Sequence, residues 1–155
     1  MGAPRVYLDT SVIGGCCDAQ FAPWSRELVR NVGLGLLVAV ISDLTERELV
    51  GAPAEVQAVY DELMETGCER VPESAESLAL ARRFVAEGIL SENYEGDARH
   101  IAAATVHGVD VLVSWNFRHI VNYERIRRFN AVNVLMGYPP LDIRTPMEVV
   151  REEEV

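Results

Sequence analysis

Four polar residues stand where an α/β chain most easily builds chemistry. Asp9 closes the run Val6-Tyr7-Leu8-Asp9-Thr10-Ser11, and Asn116 closes Leu112-Val113-Ser114-Trp115-Asn116. Asp97 opens a helical pattern, and Glu48 lies early in another around Thr45 to Val50. Open parallel sheets bind ligands outside the carboxyl ends of their strands, because loops diverge there and helix N-termini point inward. An acid at the end of an apolar strand must be solvated, paired or bound to a cation. Two carboxylates about 4 Å apart repel by about 4 kcal/mol at an effective dielectric near 20. Three sharing one crevice therefore need something positive. Each acid also has a purely structural reading. Asp97 fits an N-cap, worth about 1 kcal/mol. Glu48, three residues after Thr45, completes a capping box. Asp9 fits a strand-end turn held by the Thr10 or Ser11 amide.

The elements that must position these residues follow from periodicity. Arg5 to Asp9, Leu36 to Ile41 and Val109 to Trp115 are short apolar or β-branched runs, as in strands buried on both faces. Val56, Val59, Tyr60 and Leu63 recur at helical spacing, as do Leu78, Ala81 and Val85, which Gly88 ends. Asp97 to His107 reads as a helix capped by Asp97 and stopped by Gly108. A later helix carries Ile126, Phe129, Asn133 and Met136 on one face and closes at Gly137. Leu141 to Arg144 is extended, and Pro146 confines it to a sheet edge. Strands alternating with helices imply an α/β fold with a parallel sheet. The fold domain is read as residues 1–150, with Arg151 to Val155 as an acidic, disordered tail.

A chain of 155 residues fits one domain with an adequate core. No segment reaches the eighteen or so uninterrupted apolar residues of a membrane span. Residues 1–5 lack the features of a secretion signal, which implies a cytoplasmic protein. Three cysteines, two of them adjacent at Cys16 and Cys17, match neither a disulfide framework nor a zinc pattern and read as reduced and structural. The net charge of −10 opposes a broad nucleic-acid-binding surface. All 14 basic residues are arginine, however, and Arg118, Arg125, Arg127 and Arg128 gather near His119. They read equally as a local basic patch or as a solvated helix face.

Three segments resemble the PIN domain, a family found in the toxin ribonucleases of bacterial toxin–antitoxin pairs and in RNA-processing factors. Leu8-Asp9-Thr10-Ser11 is similar to its opening motif, Thr45-Glu46-Arg47-Glu48-Leu49 to its second acidic motif, and Asp97-Ala98-Arg99-His100-Ile101-Ala102-Ala103-Ala104 to its third. Order and context match over nearly the whole chain. The resemblance implies a three-layer α/β/α domain with a mainly parallel sheet and hydrolysis of RNA phosphodiester bonds. It makes Asp9, Glu48 and Asp97 catalytic metal ligands, with Ser11 in support. Asn116 stands where many members place a fourth acid; its amide still offers a carbonyl oxygen but no charge, so a second metal would be held weakly. An all-oxygen set suits Mg²⁺ or Mn²⁺, which lowers the pKa of bound water and stabilises charge on a scissile phosphate. The family further implies a homodimer and an antitoxin partner, and an acidic surface suits a partner contributing arginine or lysine.

Arg118 and His119 are the candidate RNA contacts, while His100 and His107 read as surface or packing residues and Trp24 and Trp115 as core or rim aromatics. Two other readings compete. In one, a PIN fold with weak or lost activity serves as a nucleic-acid or protein-binding module. In the other, Asp9 is a nucleophile, as in haloacid-dehalogenase-like phosphatases, which need a second acid at the position Ser11 occupies.

Overall fold

The computed structural model describes residues 2–152. In chain order it contains β1 (Arg5–Leu8), α1 (Thr10–Gly15), α2 (Ala22–Gly33), β2 (Val38–Ser42), α3 (Asp43–Leu49), α4 (Ala54–Glu65) and β3 (Glu69–Val71). There follow α5 (Ala75–Ala86), a 3₁₀ turn (Glu92–Tyr94), α6 (Glu95–Val106), β4 (Val111–Val113), α7 (Tyr123–Leu135), β5 (Ile143–Arg144) and α8 (Pro146–Val149). Of the tail expected from Arg151 onward, residues 153–155 lie outside the described residues. The Arg151 amide N–H donates to Asn31 at 2.6 Å, and the Asn31 amide donates back to the Arg151 carbonyl at 3.1 Å.

The strands form one sheet in the order β3-β2-β1-β4-β5, and every pairing is parallel. Alternation along each strand sorts the core into two layers. Tyr7, Val40, Leu112 and Ile143 face α5, α6 and α7, where they meet Phe84, Ile101 and Phe129. Val6, Leu8, Ala39, Ile41 and Val113 face the other way, toward Val12 of α1, Leu28 and Val32 of α2 and Leu63 of α4. The three-layer α/β/α arrangement follows. Among the described residues no helix is long and apolar enough to cross a membrane.

Several elements were not assigned from sequence. β3 is a short edge strand whose Glu69 and Arg70 pair with Arg5 and Glu46, so it lacks the apolar run of a buried strand. α2 has a legible stripe in Leu28, Val29 and Val32, and α1 is only six residues ending in two glycines. The expected helix stops hold: Gly88 and Gly108 take φ of 74° and 65°, a region that favours glycine. β5 forms the edge that Pro146 required.

The strand order reverses at β1. From β1 the chain proceeds outward to β2 and β3, then crosses back to place β4 on the other side of β1. Such a switch point opens a crevice between the carboxyl ends of the two strands. Asp9 follows β1 there and Ser114 follows β4.

Candidate active site

Asp9 is 4% exposed and caps α1. Its Oδ1 accepts from the Ser11 hydroxyl at 2.6 Å and the Val12 amide at 3.3 Å, and its Oδ2 accepts from the Ser114 hydroxyl at 2.6 Å. The expected turn through the Thr10 or Ser11 amide is therefore replaced by a helix cap and two hydroxyls, because α1 begins at once and aims the Val12 N–H at the carboxylate. Burial pushes the Asp9 carboxyl above its ordinary range, against the opposing effects of nearby His100 and the three donors. With both oxygens bonded in a closed site, Asp9 is poorly placed as a nucleophile.

Glu48 lies in the last turn of α3, not early in a helix, and the capping box with Thr45 does not form because α3 starts two residues before Thr45. Its carboxylate accepts from the Thr10 hydroxyl at 2.8 Å and pairs with His100 Nε2. His100 is 3% exposed, and its Nδ1 bonds the buried Tyr7 hydroxyl at 2.7 Å, which also bonds Ser42. Burial alone would raise the Glu48 pKa; hydrogen bonding and charge from His100, with Thr10 and Arg99, carry it below the usual range. An ionised Glu48 needs a donor, so Nε2 carries hydrogen.

Asp97 is the third residue of α6, inside the helix, and Tyr94 holds the N-cap position. It is thus no cap; the 3₁₀ turn ahead of α6 starts the helix two residues earlier than Asp97. The first turn still favours its negative charge through the helix dipole. Asp97 Oδ2 accepts from the Asn116 amide at 3.2 Å and bonds His119 Nδ1 at 3.1 Å. Burial pushes the Asp97 carboxyl up; His119 and His100 oppose this, and Glu48 adds to it. Asn116 Oδ1 accepts the His119 amide N–H at 2.9 Å, which fixes the carboxamide with its NH₂ toward Asp97. An aspartate at 116 would repel Asp97 where the amide holds it.

The expected residues therefore meet in one network spanning β1, α3, α6 and the segment after β4. Ser11 joins it twice, donating to Asp9 and accepting the Trp115 amide N–H at 3.0 Å. Thr10, Ser114 and His100 were missed. His100 follows Asp97 by three positions, a spacing that puts both on one helix face, and this was the available signal. His119, read from sequence as a candidate RNA contact, is instead 7% exposed and bonded to Asp97, with the Tyr94 ring at 3.9 Å. Among the described residues no three His, Cys, Asp or Glu side chains form a ready-made metal group. Three carboxylates with serine and threonine hydroxyls are donor types that suit a hard divalent cation, although Glu48 is bonded to His100 and Asp97 to His119 and Asn116.

The arginine cluster divides. Arg125 donates to the Ile89 carbonyl at 2.6 Å and Arg128 to the Glu87 carbonyl at 3.1 Å, so both brace the segment after α5. Arg127 pairs with Glu124 and lies over the Tyr123 ring. Arg118 is exposed. The three cysteines are free, and burial raises the Cys16 and Cys68 thiols to about 11, which keeps them unreactive.

Trp115 anchors the segment carrying Asn116. Its indole N–H donates to the Ser25 hydroxyl at 2.8 Å beneath Gly15. A Cβ on Gly15 would stand 2.6 Å from Ser25 Oγ and 2.8 Å from Trp115 Nε1. Gly15→Ala is expected to destabilise the fold by about 1–3 kcal/mol and to red-shift the tryptophan emission. Urea denaturation followed by fluorescence checks this; an unchanged midpoint would show that Trp115 is not held as described.

The sheet order, the three layers and the acid crevice define a PIN-like α/β fold. No protein-family model matches the sequence, and no curated protein matches it significantly. Among solved structures the fold is similar to VapBC2 from Rickettsia felis, bound in that structure to a DNA fragment from their promoter, with a TM-score of 0.57 and 14% identity over 91% of this chain and 98% of that one. It is similar also to FitAcB from Neisseria gonorrhoeae, with a TM-score of 0.58 and 16% identity over 93% of this chain and 99% of that one. At these identities the likeness is one of fold.

Proposed function

We propose that the protein is a cytoplasmic, divalent-metal-dependent endoribonuclease, the toxin of a toxin–antitoxin pair. The observation that supports this most is the meeting of Asp9, Glu48, Asp97 and Asn116 at the switch point of a parallel sheet whose fold is shared with VapBC2 and FitAcB. Asp9, Glu48 and Asp97 would hold Mg²⁺ or Mn²⁺, and Ser11 and Ser114 orient Asp9. When bound, such an ion supplies an activated water and offsets charge on a scissile phosphate. His100 and Thr10 orient Glu48, while Asn116 and His119 orient Asp97. Arg118, exposed two residues after Asn116, would contact a substrate phosphate. A homodimer and an antitoxin rich in arginine or lysine belong to the same reading, since a net charge of −10 favours a basic partner.

The test is cleavage of mixed RNA by purified protein in Mg²⁺, Mn²⁺ or EDTA, with Asp97→Asn alongside. Cutting in the metals, absent in EDTA and reduced at least about 100-fold in the variant, is expected. A second reading, a binding module with little activity, draws support from the internal pairing of every acid and from Asn116 in place of a fourth carboxylate. RNA bound equally with and without metal, and never cut, would favour it.

A further inference from the structure

Beside the acids stands a cluster of aromatic rings that hydrolysis itself does not require. Phe21 stacks on Trp115 with centroids 4.4 Å apart and planes 19° from parallel. Trp24 meets Trp115 edge-on at 6.3 Å, and Phe117 packs against Trp115 at 6.2 Å and Phe21 at 6.5 Å. Trp115 is buried, but Trp24 is 36% exposed and Phe117 51% exposed. The exposed rings therefore rest on a rigid aromatic base instead of projecting freely.

Their place in the chain ties them to the crevice. Phe117 directly follows Asn116, whose amide holds Asp97, and the Trp115 amide donates to the hydroxyl of Ser11 that bonds Asp9. Arg118, next along, is exposed and makes no hydrogen bond or ion pair among the described residues. A supported aromatic face with an adjacent free cation is the chemistry that seats a nucleobase and its phosphate. We propose that Phe117 and Trp24 form a stacking platform for an unpaired RNA base next to the acid crevice, with Arg118 on the flanking phosphate. This rests on the ribonuclease reading of that crevice, and the platform takes an unpaired base because pairing hides the base faces. It also reconciles RNA binding with a strongly acidic protein, since stacking needs no broad positive surface.

Binding is read without cleavage by fluorescence anisotropy in EDTA, using a fluorescein-labelled mixed-sequence single-stranded RNA and the same strand in a duplex. The wild type is expected to prefer the single strand, with a shallow salt slope of about −1, the signature of one or two phosphate contacts. Phe117→Leu and Trp24→Leu should each weaken single-strand binding about tenfold, while Phe117→Tyr stays within about twofold of wild type. No wild-type binding, equal binding of duplex, or leucine variants that bind as wild type would each overturn the platform; the last would instead mark a face for a protein partner. Cleavage in Mn²⁺ on the same samples separates the two readings. Protein that binds through the rings but never cuts removes the nuclease and leaves the platform, whereas cutting unaffected by both leucine variants removes the platform alone.

Discussion

Asp9→Asn is expected to stabilise the metal-free protein at pH 7.5 while abolishing metal-dependent cleavage. Burial raises the Asp9 carboxyl in the folded state, so the folded protein takes up that proton more readily than the unfolded chain. The stability this provides is fully present below the ordinary carboxylate pKa and is lost as pH rises through the raised one. At neutral pH the ionised group is thus a cost, which asparagine removes. The cap survives, because the amide oxygen can still accept from Val12 and Ser11 while the Ser114 hydroxyl turns to accept from its NH₂. Each 1 kcal/mol recovered raises the melting temperature by about 2–4 °C in a domain of this size. Melting curves in EDTA from pH 4 to 8 check the sign: the advantage of the variant should shrink toward acid, where Asp9 itself is neutral. A variant less stable than wild type at pH 7.5 would mean that the hydroxyl and amide donors outweigh burial.

The second large effect is expected at His100. Its ring fills a closed site and joins the Tyr7 hydroxyl to Glu48. His100→Ala leaves a cavity and strips both groups of a partner, which should cost about 2–4 kcal/mol and lower the melting temperature by about 5–15 °C. Glu48, whose lowered pKa depends on His100, stabilises the fold above the ordinary carboxylate range and ceases to do so as pH falls through its depressed value. That part of the pH dependence should disappear in the variant. Cleavage should fall about 10–100-fold, as when a residue that orients a metal ligand is removed. His100→Gln, which can donate to Glu48, should recover part of both losses. Urea denaturation and single-turnover cleavage measure them, and an unaltered fold and rate in His100→Ala would remove His100 from the site.

Much of this arrangement was legible in the chain. The apolar runs located β1, β2 and β4, and the polar residues at their ends located the crevice, because strand ends and loop chemistry are local properties. The helix carrying Asp97 was legible too, although its start was misplaced by two residues, since the turn at Glu92–Tyr94 carries no strong capping signal. The partnerships were not legible. That Asn116 serves Asp97, that His119 turns inward and that Ser114 bonds Asp9 depend on how β1 and β4 come to lie side by side. β3 escaped notice because only Val71 of its three residues is buried, while Glu69 and Arg70 pair with Arg5 and Glu46, which leaves no apolar pattern.

The hydrogen bond between Ser114 and Asp9 joins residues 105 positions apart. Contacts of such long range form late and slowly, after loop closure has been offset by other packing. A nascent chain lacking β4 and the segment after it has Asp9 and Ser11 but neither the Ser114 hydroxyl that bonds the second Asp9 oxygen nor the amide that holds Asp97. The crevice therefore comes into being only after Ser114, Asn116 and His119 have left the ribosome. A chain made in this order keeps the acids of the crevice apart from their partners during most of its own synthesis, and fragments released early carry Asp9 and Glu48 without the groups that complete the site.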